Sequence, residues 1–422
     1  YSDLKINIRK TSNDTYLRVH NLFSELTKDY NTMHSFAKFG FKKNDSSLNI
    51  RLDSYENLTA YNNRYEYIFP NFDYFTNLKY GKNKEDKKQK SNLDYQLRSY
   101  YKNYNANADE FILVNDLYYN SNQKIWNNGF QSSFIGQIKN TNYDAQHSEI
   151  FKDEASNEIT GSLALLSSLP LRRKSSKVKE TLVPKFMIRH GPGHMRNLST
   201  SSLSLSYSNL FSLNKISNID TIENGTSIIF GTEYDMDFRK NNHSLSLDFG
   251  QVFNIEKNND MPAGSSLQNK SSELVGTIGY NFDTKKNNRI TYDFSMDSNY
   301  DTINYHGITG DFKINNFAAN FDYIEERNFI GTSSYGQMDL KLDLNDKNSF
   351  QFSTRKNFRT DDTEFYNLIY QYETDCLIAG IQFKKDFYNY QDIKADQKLL
   401  FTITLIPIGE IPLGSKSQSK QR

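Results

Sequence analysis

The sequence is poor in what soluble enzymes usually have in quantity. A single cysteine, Cys376, stands in 422 residues, with one tryptophan and seven prolines. One thiol excludes a disulfide framework within the chain and a cysteine-built metal site. Apolar residues make up only 36% and mean hydropathy is −0.75, short of the shared aliphatic core of an ordinary globular enzyme. No stretch approaches the roughly 20 apolar residues of a membrane helix. Charge of one sign is also missing. The 51 basic and 50 acidic residues nearly cancel, so no global field points to nucleic acid. No secretory leader is visible, and Tyr1 already lies inside a strand-like pattern, which suggests a piece of a longer protein.

Aromatic residues are abundant instead, with 29 tyrosines and 30 phenylalanines among many Asn, Ser, Lys and Asp. That is too much burial capacity for a disordered chain and suits a wide sheet with one wet and one greasy face. Period two dominates. Leu4, Ile6 and Ile8 alternate with Lys5, Asn7 and Arg9, and Leu48, Ile50 and Leu52 with Asn49, Arg51 and Asp53. Ile290, Tyr292, Phe294 and Met296, and later Met338, Leu340, Leu342 and Leu344, repeat the pattern. Successive strand side chains point to opposite faces, so each segment has an apolar and a charged face. About 22 such segments recur between turn clusters, each near the roughly 9–11 residues that cross a bilayer at a tilt. No amphipathic helix of useful length stands out, and rare proline suits long ladders.

A water-soluble sandwich, propeller or solenoid would turn the apolar faces inward; a transmembrane barrel turns them to lipid. Full charges on the other face, aromatic crowding at strand ends ("NYDTINYH" at 299–306, "DFYNY" at 386–390) and the lack of a blade-length repeat favour the barrel. The expected fold is all-β: an antiparallel outer-membrane β-barrel over 1–409, then a polar tail at 410–422. Lysine-rich stretches at 82–90 and 171–179 read as solvated loops or as contacts to anionic lipid or sugar phosphate.

Chemistry is harder to find. His190 and His194 flank Gly-Pro-Gly, a turn signature without further metal ligands nearby. "GTIGY" at 276–280 lacks the helix and lysine of a phosphate loop, and no nucleophile elbow is present. The pairs Asp235/Asp237 and Asp293/Asp297 share strand faces and suit water or lysine partners better than acid–base work. No catalytic residue, metal or cofactor is expected.

Five segments resemble the lipopolysaccharide-assembly family LptD, in order along the chain. "RKTSNDTYLRVHNLFS" at 9–24 is similar to its early strand and turn through Ser12, Asp14, Tyr16 and Leu17, and "NNRYEYIFPNFDY" at 62–74 through Pro70. "ETLVPKFMIRHGPG" at 180–193 matches through Leu182 and Pro184. "SNLFSLNKISNIDTIENGTSIIFGTEY" at 208–234 matches through Leu210, Phe211, Asn214, Asp220 and Gly231, departing at Lys215, Asn218 and Thr221. "YETDCLIAGIQFKKDFY" at 372–388 is similar to the segment before the last two strands.

The resemblance implies a periplasmic jelly roll before a barrel of 26 strands, of which about 22 are present here. It implies lipopolysaccharide transport into the outer leaflet through a hydrated lumen and a lateral gate, without chemistry. The last strand, 397–409, would form one side of that gate with Phe401, Ile403, Leu405 and Pro407. Implied partners are lipopolysaccharide, the plug lipoprotein LptE, the periplasmic bridge protein LptA, the barrel-assembly machinery and outer-membrane lipids. Lys5, Arg9, Arg51, Lys341 and Lys384 would face the lumen, meeting phosphates or pairing with neighbouring carboxylates. Counting strands back from a periplasmic C-terminus puts Cys376 at the periplasmic mouth, pointing inward. By itself a lone thiol is equally a small buried hydrophobe. The family implies a disulfide to a cysteine of the N-terminal domain. A general porin or a TonB-dependent-type barrel for small solutes is the alternative.

Overall fold

A computed structural model describes residues 1–17, 31–80, 91–104, 108–148, 150–201, 203–216, 218–240, 242–283, 288–387 and 396–405. One antiparallel sheet of 22 strands holds most of them. The first half comprises β1 (Ser2–Asn7), β2 (Thr32–Lys43), β3 (Ser46–Asn57), β4 (Tyr65–Tyr80), β5 (Ser91–Tyr104), β6 (Ala108–Asn120), β7 (Lys124–Ile125), β8 (Gln131–Gln146), β9 (Ser156–Ser168), β10 (Leu171–Lys174) and β11 (Val178–Gly191). Then follow β12 (Gly225–Phe238), β13 (His243–Asn254), β14 (Leu274–Asp283), β15 (Asn288–Met296), β16 (Ile303–Ile314), β17 (Phe317–Glu326) and β18 (Ser334–Asn345). The wall ends with β19 (Asn348–Asn357), β20 (Asp362–Glu373), β21 (Leu377–Asp386) and β22 (Asp396–Leu405).

Each full strand pairs with its neighbours in sequence, as hairpin connections require. The two short strands are continuations: β7 extends the ladder of β6 along β8, and β10 extends that of β9 along β11. Pro184 explains the second interruption. Leu169 N–H donates to the Pro184 carbonyl, so the side on which proline has no N–H is the gap between β9 and β10. Pro70 likewise coincides with the register shift between Ile68 and Asn71.

Most connections alternate in length. At one rim, the turn rim, β2–β3, β16–β17 and β18–β19 are joined by two residues each. Asn44 and Asn315, at φ 51°, supply the left-handed backbone that such tight hairpins need. At the opposite loop rim, 192–224 joins β11 to β12 and 255–273 joins β13 to β14.

Side-chain parity follows the sequence pattern over most of the wall. Leu4, Ile6, Phe39 and Phe41 lie on the outer face of β1 and β2, as do Phe230 on β12, Phe249 on β13, and Ile381 and Phe383 on β21; all are exposed. The strands run longer than a bilayer demands, reaching 16 residues in β4 and β8. Towards the loop rim of β6–β9 the expected polarity becomes mixed. Inside, Ile112, Val114, Tyr143 and Ala145 are buried around Phe151. Outside, Asn140 accepts from Asn142 at 2.9 Å, Asn157 donates to Asn142, and Tyr95 donates to Asn115 at 2.8 Å. An asparagine cluster does not suit hydrocarbon, and the interior beside it is dry because Phe151 of the β8–β9 connection fills it.

Candidate functional site

The loop rim sends 192–224 and 255–273 back against the inner face of β8–β14. Met195, Leu205, Leu210, Leu213, Met261 and Leu267 bury there against Ile135, Met187, Ile229, Val252 and Val275. Each such side chain contributes roughly 1.5–3 kcal/mol of burial. Room for this packing comes from Gly231 on β12 and its partner Gly250 on β13. A side chain at 250 would overlap Leu210 Cδ2 and meet the Phe230 carbonyl at 2.6 Å; one at 231 would meet the Phe211 ring at 2.9 Å. A single helical turn, Tyr207–Leu210, delivers Leu210 to this spot.

Buried charge clamps the loop. Arg189, on β11 and fully buried, donates from Nε to the Leu213 carbonyl at 2.5 Å and from Nη2 to the Glu223 carbonyl, and its Nη1 lies 3.6 Å from Glu223 Oε1. Lys139 on β8 donates to the Ile219 carbonyl at 2.8 Å and pairs with Asp116 at 3.1 Å. Thr141 donates to the Asp220 carbonyl at 2.8 Å. Arg196 lies 2.8 Å from Asp220 and 2.9 Å from Glu158, with its guanidinium 4.4 Å from the Phe151 ring centre. Burial pushes the Asp220 carboxyl above its ordinary range despite Arg196. Burial would also raise Glu223, but Lys215 and Arg189 together hold it below its usual value.

Segments singled out in the sequence therefore meet one another, which their spacing did not reveal. Arg189 of "MIRHGPG" locks the segment around Leu210, Phe211 and Asn214, whose side-chain oxygen accepts the Glu223 N–H at 3.1 Å. The three positions that depart from the family pattern all have partners. Lys215 pairs with Glu223 at 3.4 Å, Asn218 accepts the Asp220 N–H at 3.0 Å, and Thr221 Oγ1 accepts the Arg196 N–H at 3.3 Å. Asp14 and Arg64, from the first two segments, form a two-pronged ion pair at 2.8 and 2.5 Å between the loops at β1–β2 and β3–β4.

The expected lumen cations divide. Lys5 and Arg51 lie on the inner face, Arg51 held by Asp53 at 2.6 Å. Arg9 lies beyond the end of β1, where strand parity assigns no face, and its N–H donates to Ser35 Oγ at 3.0 Å. Lys341 and Lys384 are inward but each pairs with a carboxylate two residues on, Asp343 and Asp386, both at 3.2 Å. Of the carboxylate pairs, Asp237 meets Lys179 at 3.2 Å and Asp293 accepts from Thr277 at 2.5 Å. Asp297 departs from expectation: β15 ends before it, and it accepts the N–H groups of Asp301 and Thr302 in the following turn. His190 contacts Thr226 at 2.8 Å at the end of β11. Arg173 of the 171–179 cluster pairs with Glu180 at 2.5 Å and is solvent-exposed.

β22 pairs only with β21 among the described residues, and its outward Phe401 and Ile403 are 72% and 73% exposed, above most outward residues inside the wall. Leu405 is the last position in that ladder, opposite Leu377. Pro407, the 410–422 tail, the 82–90 cluster and most of the aromatics at 386–390 lie outside the described residues. Cys376 is free and exposed in the turn between β20 and β21, at the turn rim, 3.9 Å from Thr374 Oγ1.

Among solved structures, the siderophore receptor PirA from Acinetobacter baumannii is similar at 9% identity and a TM-score of 0.43, over 89% of this chain and 71% of that one. A point mutant of the ferric enterobactin receptor PfeA from Pseudomonas aeruginosa is similar at 8% identity and a TM-score of 0.42, over 89% and 70%. Likeness at that level carries no argument about function. No curated protein matches the chain in sequence. The family described as "LptD: LPS transport system D" matches residues 1–353, from β1 through most of β19. With that match over most of a strand wall apolar outside and charged inside, the chain belongs to the LptD family.

Proposed function

We propose that this chain forms the wall of the outer-membrane translocon that delivers lipopolysaccharide to the outer leaflet. The family match over residues 1–353 carries the reading. The wall suits it physically: an apolar outer face meets lipid, and the charged inner face of β12–β22 and β1–β5 hydrates sugars and phosphates. Moving a lipid from one leaflet environment to another breaks no covalent bond, so no catalytic group is called for.

On this reading the loop rim is extracellular and the turn rim periplasmic, because outer-membrane barrels keep their periplasmic turns short. The C-terminus then leaves β22 into the periplasm. β22 is one lip of the lateral gate; its parting from a neighbour costs only ladder bonds of about 0.5–1.5 kcal/mol each. A plug lipoprotein of the LptE kind, a bridge protein of the LptA kind and the barrel-assembly machinery complete the pathway. The exposed Cys376 pairs with a cysteine outside this sequence, holding a periplasmic domain at the mouth. In the full-length parent, that bond would change electrophoretic mobility on reduction; unchanged mobility would remove it.

Depletion of the full-length parent in its own cells tests the main reading. Lipopolysaccharide should disappear from the cell surface and accumulate before the outer membrane. Normal surface lipopolysaccharide with lost uptake of a small solute would favour a porin instead.

A further inference from the structure

Most inward cations of this wall have a carboxylate beside them: Lys102 has Glu66, Lys185 has Glu233, Lys341 has Asp343 and Lys384 has Asp386. A row on β1–β3 departs from it. Lys5 on β1, Lys38 on β2 and Arg51 on β3 are direct cross-strand partners on the inner face. Like charges directly opposite one another destabilise a ladder. Only Arg51 is compensated, by Asp53 at 2.6 Å and by the Phe36 ring with its centre 5.6 Å away. Neither Lys5 nor Lys38 has an ion pair among the described residues. Asp3, the nearest acid along β1 on that face, lies over Gly40, where a side chain would collide with its Oδ1.

The inner face of β12–β18 has the opposite character, with Glu233, Asp235, Asp248, Asp293, Asp322 and Asp339 on it. A passage with one acidic wall and one sparsely compensated cationic row steers a multiply charged anion towards the row.

We propose that Lys5, Lys38 and Arg51 form a binding site for phosphate groups of a glycolipid headgroup inside the barrel. The proposal rests on the transport reading and deepens it by naming the wall the headgroup follows. Two ammonium groups and a guanidinium in line match a headgroup with phosphates at both ends, the lysines as point charges and the arginine as a directional fork. The bound anion supplies the charge that the strands lack.

The test uses the full-length parent protein purified from its membrane, as wild type, as the double variant Lys5→Gln/Lys38→Gln, and as Lys347→Gln, a control in the β18–β19 turn. Binding of phosphorylated lipopolysaccharide and of the same lipid after dephosphorylation is measured, together with the midpoint of heat unfolding. The double variant should bind the phosphorylated lipid at least about threefold more weakly, bind the dephosphorylated lipid as wild type does, and unfold at the same or a higher temperature, since repulsion has been removed. Equal loss for both lipids, no loss, or a lower unfolding midpoint would overturn the site. Full competition by millimolar inorganic phosphate would also overturn it, assigning the row to a free anion. If the wild type binds neither lipid, the transport reading itself fails, which separates the two failures.

Discussion

Arg189 carries more of this structure than any residue whose role its sequence context advertises. Its neighbours "RHGPGH" draw the eye to histidines and a turn, yet the arginine is the buried group, tied to carbonyls 24 and 34 residues on. Nothing local encodes that, because the partners are backbone oxygens of an aperiodic loop. Replacing Arg189 with Met should cost about 3–5 kcal/mol, since it leaves Glu223 with less countercharge and two carbonyls unmet. In the full-length parent this would appear as faster protease cutting within 192–224 and a lower temperature for loss of the folded electrophoretic band. Wild-type cutting and mobility in that variant would show that the clamp is incidental. The lumen cations show the complementary case. Parity read from the sequence assigns Lys5, Arg51, Lys341 and Lys384 to the inner face, but pairing with Asp53, Asp343 or Asp386 depends on rotamers that alternation does not specify.

Strands were legible as elements because a two-residue period survives in almost every one. Their ends were not. β4 and β8 outrun the bilayer length, and along β6–β9 buried apolar side chains lie on the inner face, where Phe151 packs. The paired glycines belong to this scale as well. Gly231 matches a family position, whereas nothing in the local sequence marks Gly250, although it meets the same loop. Gly250→Ile should destabilise by about 1–3 kcal/mol or more, because one of the atoms in the way is the Phe230 carbonyl, which cannot swing aside. The heat-unfolding midpoint of the full-length variant would fall; an unchanged midpoint would mean that the loop is not seated between β12 and β13.

As a whole molecule the chain is a wall with three kinds of inner surface: a dry, loop-packed stretch along β8–β14, an acidic stretch along β12–β18, and a sparsely compensated cationic row on β1–β3. Composition alone pointed to a greasy-outside sheet, since 29 tyrosines and 30 phenylalanines with few aliphatics leave little else to build. Which half of the interior stays open was not legible, because it depends on where the loops fold. The most direct test of the account places a photo-crosslinking residue at Ser353, inward on β19, or at its neighbour Phe352, outward, in the full-length parent in living cells. Ser353 should capture lipopolysaccharide through its sugar portion and Phe352 should capture lipid acyl chains. Identical adducts at both positions, or no lipopolysaccharide at Ser353, would contradict the claim that this wall carries the headgroup on its inner face.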